Sequence, residues 1–76
     1  MGVDARYHPA IEHVLRLFSY THLAPPLQEV SKPFCELALA VAARAPQSRE
    51  TTVALRKLLE AKDAAVRAVV LRQQMI

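Results

Sequence analysis

Three arginines, Arg49, Arg56 and Arg67, recur on one side of the long stretch that ends the sequence. A guanidinium stays charged at physiological pH and can grip a phosphate with two parallel N–H donors. Arg49 directly follows Ser48, and Pro46 stands just before them, an arrangement that stops one helix and launches the next. The first N–H groups of the new helix are unpaired and lie at the positive end of its dipole, where phosphate binds readily. Arg49 is mildly unfavourable in that turn unless Glu50 or an anionic ligand compensates it. The competing reading is a solvated face, in which Arg56 pairs with Glu60 and Asp63 with Arg67. Each pair is four residues apart and contributes only a few tenths of a kcal/mol, roughly.

Other side chains suggest further chemistry. Tyr20 lies in the connector of residues 19–25, with Phe18 before it and His22 after it. A tyrosine held near a basic helix can stack on a nucleobase, worth about 1–3 kcal/mol, or it can close the core with its hydroxyl in water. Lys32 and Lys62 are further cations. Lys62 falls inside an otherwise apolar arc, from which it can snorkel, reach a ligand at a subunit boundary, or pair with Glu29 or Glu36, the default. His8, His13 and His22 lack the spacing or cysteine partners of a metal site. Cys35 beside Phe34 reads as a core thiol, with no adjacent base to activate it. The one glycine, Gly2, excludes a glycine-rich phosphate loop. No acid–base or nucleophile pair can be named, so the sequence reads as non-enzymatic, with no cofactor.

The elements that must position these groups are all helical. Pro9 suits a first turn, and Ile11, Val14, Leu15 and Phe18 repeat at the spacing of one apolar face, predicting a helix over about 9–18. Residues 19–25 form a connector. Leu27, Val30, Phe34, Leu37 and Val41 then make a narrow seam over a helix of about 26–44. Pro33 interrupts that helix, either kinking it or forcing a restart at Ser31; the unbroken register of the seam favours the kink. From Arg49 to about Gln74 neither Gly nor Pro intervenes, so a helix of roughly 37 Å follows. Leu55, Leu58, Leu59, Ala61, Ala65, Val66 and Val69 form its apolar arc. Residues 1–8 look like a loose start. The expected fold is one all-α domain over 1–76, a short helix followed by an antiparallel helical hairpin. Its last helix is too long for its own neighbours to cover, so copies of the chain should pack together.

Charge is unevenly divided. Residues 1–43 carry three basic and four acidic groups, whereas residues 44–76 carry seven basic and three acidic ones. The polarity suggests an anionic partner for the second half, with a solvated, ion-paired helix as the alternative. No run approaches the length of a membrane span, and Glu12, His13 and Arg16 break any signal-like core in residues 1–19. A soluble, intracellular protein with no membrane partner is expected.

The run Pro46-x-Ser48-Arg49-Glu50, followed by Ala54-Leu55-x-Lys57-Leu58 and Glu60-Ala61, resembles the C-terminal helical hairpin of phage anti-CBASS and anti-Thoeris sponge proteins. Arg67-Ala68-Val69 is similar to the Arg-Ala-Ile segment that ends that hairpin, and the resemblance spans roughly residues 20–70. It implies a non-catalytic sponge that sequesters cyclic di- or trinucleotide immune signals, or cyclic ADP-ribose derivatives, in the cytoplasm of an infected bacterium. It also implies a compact homohexamer with pockets between protomers. By position, Tyr20 would stack on a base, and Arg49 and Arg67 would hold phosphates, while Lys32 lies closer to the tyrosine than the family pattern has it. Ala64, Ala65 and Val66 stand where many members have an aromatic residue and an Asn, and Arg56 where a Thr is usual. These departures imply a shifted ligand preference. The full set of candidate ligand contacts is Tyr20, His22, Lys32, Ser48, Arg49, Arg56 and Arg67. The alternatives are a structural helical oligomer or a nucleic-acid-binding accessory protein. The latter is disfavoured because Glu60 and Asp63 interrupt the basic row.

Overall fold

The computed structural model describes residues 7–74, and its three helices are α1 (Pro9–Arg16), α2 (Pro25–Arg44) and α3 (Arg49–Gln74). Among the described residues there is no strand. Most of the expected loose start, residues 1–6, lies outside them.

Each helix begins for a local reason. Pro9 stands in the first turn of α1, where its missing N–H costs nothing, and the His8 side chain caps that turn by accepting from the Ala10 N–H at 3.1 Å. Pro25 and Pro26 stand in the first turn of α2, which has no side-chain cap. Ser48 caps α3: its Oγ accepts from the Thr51 N–H at 3.3 Å. The buried Thr51 hydroxyl donates in turn to the Pro46 carbonyl, which ties the turn between α2 and α3 to the helix it launches.

Two helix ends differ from the sequence reading. Residue 18 was expected inside the first helix, but α1 stops at Arg16. Phe18 nevertheless remains buried, because a tight turn carries it into the core. Helix α2 runs unbroken through Pro33, with no restart at Ser31. Pro33 and Glu29, whose carbonyl loses its donor, are both exposed, so water can satisfy that carbonyl and the proline penalty is reduced.

The core is centred on α1 and the turn after it. Ile11, Val14, Leu15 and Phe18 are buried against Ala38 and Ala42 of α2 and Leu55 of α3. The long helix was expected to be short of cover. Here α1 lies along one side of the α2–α3 hairpin and supplies part of it, packing more extensively on α3 than on α2. The buried line of α2 is also rotated from the expected seam. Ser31, Ala38 and Ala42 face inward, while Phe34 and Val41 are half-buried and Leu37 is 51% exposed. Close approach of two helices selects small side chains at the contact, and the larger ones fill its margins. On α3, Leu55 is fully buried and Leu58, Leu59, Ala65, Val66 and Val69 half-buried, as the apolar arc requires, but Ala61 is exposed.

Candidate anion-binding site

Helix α1 runs alongside α3 in the same direction, and a cleft opens at each of its ends. The first lies where both helices begin. It encloses about 440 Å³ and is bordered by His8, Gln47, Ser48, Arg49 and Thr52. The His8 N–H donates to Gln47 Oε1, joining the start of α1 to the interhelical turn. Ser48 Oγ is engaged by the Thr51 N–H, so it already occupies one of the amide donors that an anion would use. Among the described residues that border this cleft, Arg49 is the one arginine or lysine.

The second cleft lies where α1 ends and encloses about 410 Å³. Leu17, Leu23 and Val66 give it apolar walls, and Arg16, Lys62 and Arg67 bring three cations to its border, with Asp63 opposing them. Ser19 and His22 complete the lining from the connector. The connector is held in place locally: the Leu23 N–H donates to the Tyr20 carbonyl at 3.0 Å. Gln28 Nε2 donates to the Leu23 carbonyl at 2.7 Å and the Thr21 carbonyl at 3.3 Å, fastening the loop to the first turns of α2.

The cations of this cleft differ in freedom. Lys62 has only 12% of its side chain exposed, and its Nζ meets Asp63 Oδ1 at 3.1 Å. Its partner is thus the adjacent Asp63 rather than Glu29 or Glu36 of α2. Arg16 pairs with Glu12 one turn back. Arg67 makes no ion pair among the described residues, because Lys62 has taken the Asp63 carboxylate that Arg67 was expected to hold. The other expected pair is also replaced: Glu60 meets Lys57 at 3.8 Å rather than Arg56. Arg67 is therefore a guanidinium at the rim of an apolar cleft with its donors uncommitted, the form in which arginine best receives a phosphate.

The predicted contacts divide between the two clefts. His22 and Arg67 lie in the second, Ser48 and Arg49 in the first. Tyr20 is half-buried in the connector and lines neither; Lys32 and Arg56 are exposed on helix surfaces away from both. Sequence reasoning missed Arg16 and Gln28 as site-building residues. The signal for Arg16 was a cation in the last turn of α1; for Lys62 it was the one charge in an apolar arc. Ser19 and His22 share no hydrogen bond among the described residues. Cys35 is half-buried in α2, where burial, aided by the Glu36 carboxylate, pushes its thiol above the ordinary range. No three His, Cys, Asp or Glu side chains gather among the described residues as a metal site would need, and no helix there is long and apolar enough to cross a membrane. Comparison of the chain with protein-family models, curated proteins and solved structures finds no match.

Proposed function

We propose that this protein is a non-catalytic sponge that binds a cyclic di- or trinucleotide in the cleft at the end of α1 and lowers its free concentration by stoichiometric capture. One observation carries the reading: Arg16, Lys62 and Arg67 converge on a cleft walled by Leu17, Leu23 and Val66. A cyclic oligonucleotide combines phosphodiesters, which call for such cations, with flat bases, which favour apolar walls. The cleft's volume falls within the range of small-molecule sites, about 300–1,000 Å³. The resemblance of residues 20–70 to the phage sponges supports this ligand class, and with it a phage protein acting in the cytoplasm of an infected bacterium against CBASS-type defence. On this reading the working form is a homo-oligomer, a hexamer in that family, and Tyr20, which lines neither cleft within one chain, stacks on a base only where a neighbouring copy completes the pocket.

The test is calorimetric titration with cyclic dinucleotides, cyclic trinucleotides and cyclic ADP-ribose isomers, followed by recovery of the ligand after heat denaturation. Nanomolar binding with intact ligand is expected. Recovery of a degraded ligand would make the protein an enzyme, and failure to bind any member of the panel would refute the sponge.

A further inference from the structure

On the outer face of α3, Ala54, Lys57, Ala61, Ala64, Ala68 and Leu71 follow one another at intervals of three and four residues, and all six are exposed. That is the spacing of a coiled-coil seam, sustained over more than two heptads. No helix among the described residues covers it; Leu71, at its end, is 57% exposed. We infer that this face pairs with the same face of a second copy, the two α3 helices running antiparallel about a two-fold axis between Ala61 and Ala64.

Charge fixes both the partner and the direction. Glu60 and Arg67 border the seam on one side, a heptad apart. When Ala61 faces the partner's Ala64 in an antiparallel pair, Ala54 faces the partner's Leu71 and Lys57 the partner's Ala68. Glu60 then faces the partner's Arg67, and the two-fold axis repeats that contact. A parallel pair in register would set Lys57 against the partner's Lys57 and Arg67 against the partner's Arg72, two like-charge contacts. Within its own chain Glu60 has only the 3.8 Å contact to Lys57, both side chains about 70% exposed, so it remains available. The alanines let the helix axes approach to about 8 Å, the near end of the usual range. This inference gives a definite face to the self-association in the proposed reading and rests on that part of it, not on the ligand; the five N–H donors of the Arg67 guanidinium suffice for both the partner's Glu60 and a phosphate in the cleft.

The test uses nucleotide-free protein with Cys35→Ala as background. Ala54→Cys and Leu71→Cys chains, mixed and oxidised, should form a disulfide between the two kinds of chain. Ala54→Cys alone should not link to itself, because an antiparallel partner carries its own residue 54 roughly 25 Å further along the axis, far beyond the roughly 7 Å that a disulfide tolerates. Self-linking of Ala54→Cys, or no linking at all, would overturn the pairing. Sedimentation gives a second reading: Glu60→Arg should weaken self-association by about ten- to thirty-fold, and adding Arg67→Glu should restore it. A double variant as weak as the single one would also overturn the pairing. Neither readout involves nucleotide, so failure here is distinct from failure of the ligand reading.

Discussion

Ser31 provides a stringent test of the packing between α2 and α3. Its side chain is fully buried, and its hydroxyl has no hydrogen-bond partner among the described residues. A buried hydroxyl left unsatisfied costs about 1–3 kcal/mol. Ser31→Ala removes that cost and adds helix propensity, worth about 0.5 kcal/mol at a mid-helix position. The void left by one oxygen subtracts about 0.5 kcal/mol at roughly 24 cal/mol per Å³. The balance is a stabilisation of about 1–3 kcal/mol, which for a domain of this size raises Tm by roughly 4–8 °C for each kcal/mol. Thermal unfolding followed by circular dichroism at a fixed protein concentration measures it. The site is sealed within one chain, so the result does not depend on assembly. A Tm lowered by Ser31→Ala would refute the reasoning and indicate that the hydroxyl bonds a carbonyl one turn back, as mid-helix serines can.

Three further outcomes follow from the same contacts. Ser48→Ala removes the side-chain cap of α3 and should cost about 1 kcal/mol in urea unfolding, whereas Ser48→Asp should retain most of that stability. Cys35 should react slowly with thiol reagents at neutral pH. Because its thiol titrates higher in the folded than in the unfolded chain, its contribution to stability should fall as pH rises above the ordinary thiol value. Constant stability through that alkaline window, or rapid labelling at pH 7, would contradict its placement. Tyr20→Ala should reduce cyclic-dinucleotide affinity by about ten- to a hundred-fold through loss of one stacked base, with oligomeric state unchanged; dissociation of the oligomer would instead make Tyr20 a structural residue.

The helices were legible because their signals are local. Pro9, the Pro25-Pro26 pair and the Pro46–Ser48 turn mark three starts that the structure keeps. The contact line of α2 was not, because periodicity follows the large apolar residues Leu27, Phe34 and Leu37, whereas the helices meet through Ser31, Ala38 and Ala42. Ion partners were misassigned for a related reason. Spacing permits Arg56 or Lys57 to reach Glu60, and Lys62 or Arg67 to reach Asp63, and the choice depends on how deeply each stem is packed. Lys62 is the informative case: a lysine among apolar residues in the sequence became a nearly buried cation at the rim of a cleft. Its meeting with Arg16 joins positions 46 residues apart, which only the packing of α1 along α3 produces.

The most direct test of the central claim is an amide chemical-shift titration with a cyclic dinucleotide, since it reports where the ligand sits. The account predicts saturable shifts concentrated at Arg16, Leu17, Ser19, His22 and Lys62 through Arg67, and their loss in Arg67→Ala. Shifts confined to His8, Ser48, Arg49 and Thr52 would move the site to the opposite end of α1, and an unperturbed spectrum would contradict nucleotide capture altogether.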